Sequence, residues 1–321
     1  MYIRTIIRPA RESLRYGLGE PAPSSRDAEV RFKRVATLVT DGLKTAEAAI
    51  PQLSTKPHQA QLLRFLTSLL KEFFPIGHGL IDAKGNVLRQ SQKWTVSIPI
   101  TARDGTPWPF EHRIRIFLSD QTGFRASGEH LTGNFSSIRL YTKELHTGTP
   151  SDAIGTALHE MIHMMFAMIR RLEKWLGSIG AQAAARLLAQ QPWRLLVLDG
   201  FAAHRATLER HLVDLLRVLP IPMQAPELAA SLIEEAFAAQ FEVIVDEAIT
   251  RLTRARRRTS GPSILVNLGF QPKEFLKFYV LERGFAVTEK QLNSQQAQQI
   301  FQRMTSDVDA LAASIRKHLD S

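Results

Sequence analysis

The chain contains no cysteine in its 321 residues. That absence excludes a disulfide framework, thiolate metal sites and cysteine nucleophiles, so any bound metal must be held by His, Asp or Glu. Long apolar runs are missing too: a membrane span needs about 18 apolar residues, and the longest candidate, Met161 to Ile169, is broken by His163. Gly-rich phosphate loops, a Gly-x-Ser-x-Gly nucleophile turn and an aromatic-basic strand of the RNA-binding type are likewise absent. Acidic residues are in deficit, 31 against 41 Lys+Arg, which leaves a net charge of +10. Such a charge permits an acidic partner without selecting one. The densest basic group, Arg251, Arg254, Arg256, Arg257 and Arg258, falls at a helix end, where cations are favoured by the dipole. Nucleic acid is therefore not the expected partner. The N-terminus places Arg4, Arg8, Arg11 and Arg15 around a short Ile6-Ile7 pair and lacks the apolar core of a Sec-type signal. The expectation is a soluble protein without a membrane span, cytoplasmic or delivered by a specialised secretion system, and no feature identifies a delivery or inhibitor protein.

A hydrophobic content of 44% with both signs of charge is enough for one large or two ordinary domains. Helical spacing from about Asp27 to Phe74 predicts two helices separated near Pro51 to Pro57. From Gly77 the period changes to two: Leu80 and Ile81, a turn at Ala83 to Asn86, then Trp94-Val96-Ile98-Ile100 and Ile114-Ile116-Leu118. After a polar, Gly-containing stretch from Asp120 to Asn134, residues 135–141 read as the last strand of a small antiparallel sheet. Past Pro150, with Ser151 or Asp152 as the expected cap, a helix runs to about Trp175. Further helices are predicted at 178–190, 199–219 and 226–258, and a final amphipathic one from about Ser294 to His318. The expected organisation is a helical region over 1–75, a sheet-then-helix domain over 76–258, and a mixed region over 259–321, an α+β protein.

Inside the Pro150 helix lies Ala157-Leu158-His159-Glu160-Met161-Ile162-His163, an H-E-x-x-H pattern. Residues i and i+4 share a helix face, so His159 and His163 can direct two imidazoles at one ion, and Glu160 can reach the water that such an ion carries. Zn²⁺ is the expected metal, with Glu160 as general base. Leu158, Met161, Ile162, Met164, Met165, Phe166 and Ile169 make this helix apolar nearly all round, so it should be central, and polar side chains on it need partners. A buried, metal-free His pair with Glu160 as counter-charge is the bland alternative.

Locally, Ser137-Ile138-Arg139-Leu140 followed by Ala157 to His163 resembles the Spartan/SprT family of DNA–protein crosslink proteases over about thirty residues. That family's third histidine has no counterpart between Arg170 and Gln190. The third ligand must then come from farther along: His204 and His211, or Glu234, Glu235, Glu242, Asp246 and Glu247. Glu235-Ala236-Phe237-Ala238-Ala239-Gln240-Phe241 resembles the segment that carries the glutamate ligand in anthrax lethal factor-like gluzincins and in gluzincin aminopeptidases. The resemblance implies a zincin-like fold, Glu235 as third ligand, a peptide or protein substrate, and an effector or toxin role. At about 100° per residue, Glu235 shares its side of the helix with Ser231, Ala238 and Ala239, small residues that would let two helices approach. Glu242, Glu234 and Glu247 remain rivals. Zincin peptidases also imply an edge strand beside the active-site helix that takes the substrate by strand addition, a place that residues 135–141 occupy in sequence order. For the group that stabilises the oxyanion, Tyr141, His204 and His211 stay open.

Overall fold

The computed structural model describes residues 6–9, 26–73, 93–98, 110–119, 128–131, 136–177, 193–196, 199–253, 272–273, 275–276 and 287–320. In chain order these form strand β1 (Ile6–Pro9), helices α1 (Arg26–Ala49) and α2 (Pro57–Phe73), and strands β2 (Lys93–Ile98), β3 (Phe110–Ser119), β4 (Gly128–Leu131) and β5 (Ser136–Tyr141). A short helix α3 (Thr142–Leu145) leads into α4 (Pro150–Gly177). Then follow α5 (Ala202–Val218), α6 (Ala225–Thr253), α7 (Glu289–Leu292) and α8 (Gln295–Asp320). Among the described residues the protein is mainly helical with one small sheet, in agreement with the α+β expectation. Among the described residues no helix is long and apolar enough to cross a membrane.

Both predicted N-terminal helices are present, with a 3-10 turn at Ile50–Leu53 where Pro51 interrupts them. The sheet departs from expectation in three ways. Its order is β1-β2-β3-β5-β4. It is mixed rather than antiparallel, because β3 and β5 pair in parallel, Ile114 opposite Ser136 through Ser119 opposite Tyr141. And β5 is not an edge: β4, formed within the stretch read as a connection, pairs antiparallel with it, Gly128 opposite Leu140, and takes the outer position. The chain thus leaves β3, reaches the far edge, and returns between the two. Alternation of side chains reports which face a strand buries but carries no information about its neighbours. The N-terminal β1, in a region expected to be helical, takes the opposite edge against β2. The predicted strand at Leu80-Ile81, the turn at 83–86 and the helix at 178–190 lie outside the described residues.

On β3, Ile114, Ile116 and Leu118 are buried, and on β5 Ile138 and Leu140, so one face of the sheet meets the helices. Helix α4 lies against β5 and β4; α1 and α6 pack on α4, and α5 and α8 pack on α6. One continuous apolar cluster runs from Phe32 on α1 to Leu319 on α8. The start of α4 is held by a reciprocal cap at Thr149, two residues before Ser151, the earlier of the expected positions: Thr149 N donates to Asp152 Oδ2 (2.7 Å) and Asp152 N donates to Thr149 Oγ1 (3.3 Å). Pro150 then takes the first helical position, where its missing N–H costs nothing. Gly42 sets how closely α1 approaches this helix, because a Cβ there would overlap the carbonyl oxygen of Pro150 and the side chain of Ile154.

Candidate metal centre

Helix α4 is apolar on almost every side, and Ala157, Leu158, Met161, Ile162, Met164 and Met165 are all buried. Two of its polar residues are consequently buried with it: His159 is 6% exposed and Glu160 8%. Helix α6 is its neighbour in the core, and Phe166 and Phe237 meet edge to face at 5.3 Å just beyond the site. Ala238 and Ala239 are buried on α6 as the small-residue argument requires.

The crossing brings Glu235 onto both histidines. Its Oε1 lies 3.2 Å from His159 Nε2 and its Oε2 3.0 Å from His163 Nε2. The two Nε2 atoms are 3.3 Å apart. Among the described residues, His159, His163 and Glu235 are the group of three whose ligand atoms all fall within 4.8 Å of one another. Four ligands at about 2.0–2.1 Å around a tetrahedral zinc are separated by roughly 3.3 Å, since a tetrahedral edge is about 1.63 times the bond. The observed separations match that edge.

The rivals occupy distinct places. Glu242, two turns beyond Glu235, is buried, and its Oε2 is 3.4 Å from His159 Nδ1, close enough to act as an ion pair but without hydrogen-bond geometry. Glu234 faces the other ring, Oε2 at 3.8 Å from His163 Nδ1, and is in direct contact with Arg170 of α4. Glu247 points to α8, where Arg316 donates to its carboxylate, and it also meets Arg251. Asp246 lines a small groove with Ser151, Asp152, Gly155 and Glu242. His204 and His211 also turn toward α8, His204 Nε2 at 2.9 Å from Ser314 Oγ and His211 Nε2 at 2.7 Å from Asp307 Oδ2. Tyr141 is buried at the end of β5. Sequence reasoning placed the histidines and Glu235 but missed the contact of Arg170 with Glu234 and the glycine beside Glu242; a salt-bridge partner on another helix leaves no local pattern.

Electrostatics distinguish the two faces of this cluster. Burial opposes the charged form of His159 and is the largest single influence, yet Glu235, Glu242 and Glu160 together outweigh it and hold the imidazole well above its usual pKa of 6.5. For Glu235, burial alone would raise the carboxyl, but His159 and His163 hold it well below the usual carboxylate range. Three buried carboxylates, Glu160, Glu234 and Glu242, accompany Glu235 around two imidazoles and one arginine. Such an excess of negative charge at low exposure calls for a compensating cation. Two imidazole nitrogens and a carboxylate, with further acids behind them, suit a divalent ion of borderline softness. The donor set and its spacing therefore fit zinc.

No family model matches the chain, and neither the curated proteins nor the solved structures provide a significant match. What the site can do rests on its own geometry.

Proposed function

We propose that the protein is a zinc-dependent peptidase of the gluzincin arrangement on a zincin-like fold, with His159, His163 and Glu235 as metal ligands and Glu160 as general base. The observation that carries this reading is the convergence of three donors from α4 and α6 at tetrahedral-edge separations beside a buried H-E-x-x-H glutamate. Zinc, when bound, acidifies a water and polarises a carbonyl. The remaining work falls to the chain. His159 and His163 aim their Nε2 atoms at one point because i and i+4 share a face of α4. Glu235 completes the set from α6. Glu160 accepts a proton at its carboxylate and returns it to the leaving amine, and its near-complete burial keeps bulk water from competing for that proton. An extended peptide adds to the outer edge of β4, the strand that lies outermost among the described residues and against α4, and β5 backs it.

The test is paired. Elemental analysis of purified protein is expected to find about one zinc per chain, and a mixed-peptide library read by mass spectrometry should show cleavage. Glu160→Gln keeps the shape of the side chain but not its basicity, so zinc should be retained while hydrolysis falls roughly 10²-fold or more. A wild-type protein that takes up no zinc, or a Gln variant as active as wild type, refutes the reading.

A further inference from the structure

A ligating histidine is only as well aimed as the contact that holds its other ring nitrogen. His159 is buried, and its Nδ1 faces Glu242 Oε2 at 3.4 Å while its Nε2 faces Glu235. Glu242 reaches that nitrogen from α6 across the backbone of α4, through a notch at Gly155. Gly155 lies one turn before His159 on the same face, and a Cβ built on it would come 3.0 Å from Glu242 Oε1, 3.4 Å from its Cγ and 3.5 Å from its Cδ. A glycine in the second turn of a 28-residue helix is otherwise unfavourable, since it adds backbone entropy to the unfolded chain and packs nothing. Here its missing side chain is filled by a carboxylate. The geometry points to Glu242 as the positioning residue for His159, seated by Gly155: its carboxylate pairs with the Nδ1 side of the ring at 3.4 Å, which favours the proton on Nδ1 and leaves the Nε2 lone pair for the metal. This inference rests on the proposed zinc site.

The ring orientation follows from the same contact. An imidazole offers a metal only an unprotonated nitrogen, and a carboxylate at Nδ1 keeps the proton there. Glu234, backed by Arg170, stands in the corresponding place toward His163 but farther off, at 3.8 Å. Of the two acids that face the Nδ1 atoms, Glu242 is therefore the one whose removal should be felt more.

The experiment measures the affinity of the full-length protein for zinc ion alone, in competition with a chromophoric chelator. Glu242→Leu fills similar volume without an acceptor, and zinc should bind roughly 10- to 100-fold more weakly. Glu242→Gln retains an acceptor oxygen and should recover most of that loss, a difference that a packing role would not produce. Gly155→Ala leaves every ionisable group in place but displaces the Glu242 carboxylate; affinity should fall about tenfold, although Ala suits a helix better and the metal-free protein should be no less thermostable. In the zinc-loaded wild type the His159 Nδ1–H proton should give a downfield resonance, lost to exchange in Glu242→Leu. Glu247→Gln, on the α8 side of the same helix, should bind zinc as wild type does. Wild-type affinity in both Glu242→Leu and Gly155→Ala overturns the role of Glu242 and leaves the zinc site standing. A wild type that binds no zinc overturns the site, and this inference with it.

Discussion

Zinc should stabilise the protein, and the effect should grow with pH in a way that reports on His159. At a free zinc concentration 1,000 times the dissociation constant, binding to the folded state alone contributes about 4 kcal/mol. For a chain of this size each kcal/mol raises the melting temperature by roughly 2–4 °C, so a rise on the order of 10 °C is expected over chelator-treated protein. The pH dependence has two opposing parts. In metal-free protein the folded pKa of His159 lies above 6.5, so its contribution to stability is full below pH 6.5 and is lost as pH rises through the raised folded value. Glu235 is the reverse: its folded pKa lies below 4.5, so its contribution is present above pH 4.5 and is lost as pH falls toward the depressed value. The metal-free site is thus at its best between about pH 4.5 and 6.5. Zinc must displace the proton that Glu235, Glu242 and Glu160 hold on His159, so its apparent affinity should rise about tenfold, or ~1.4 kcal/mol, per pH unit. With an ordinary imidazole that rise would flatten near pH 6.5; here it should continue beyond it. Thermal melts with zinc and with chelator, from pH 5.5 to 8.5, measure both quantities. A melting temperature indifferent to zinc, or an affinity that levels off at pH 6.5, would refute the argument.

Two further perturbations test the framework around the site. Gly42→Ala places a methyl group against the carbonyl of Pro150 and against Ile154, atoms that α4 cannot move without shifting as a whole; a loss of about 1–3 kcal/mol is expected in denaturant titration, and an unchanged midpoint would count against the close packing of α1 on α4. His112 is buried between the sheet and α4, Arg171 Nη1 donating to its Nδ1 at 3.0 Å and Ser136 Oγ at 2.8 Å from its Nε2. Burial first, and Arg171 second, push its pKa down to about 4. Because the unfolded chain takes up a proton near pH 6.5 that the folded one refuses until about pH 4, stability should drop across that window by about 3 kcal/mol relative to His112→Gln, which keeps a donor and an acceptor but does not titrate. Equal slopes in the two proteins would remove His112 from the account.

The chemistry of α4 was legible without tertiary information because it is local. An i, i+4 histidine pair, a glutamate beside the first, and an apolar surround follow from a period of 3.6, and that period depends only on backbone hydrogen bonds within one helix. The approach of Glu235 to both histidines was reachable through its resemblance to a known segment and through the small residues around it. The strand order was not: β4 is four residues long and lies in a polar stretch, and nothing in the alternation of β5 says that another strand will pair outside it. The division of labour among the acids of α6 was equally hidden. Glu234, Glu235, Glu242 and Glu247 are similar in type and lie on one helix, yet they meet His163 and Arg170, both histidines, His159, and Arg316 respectively. Which acid meets which partner depends on the crossing of α4 with α6 and on the seating of α8. Those are set by side-chain packing between elements far apart in the chain, down to the one missing Cβ at Gly155 that opens the way for Glu242.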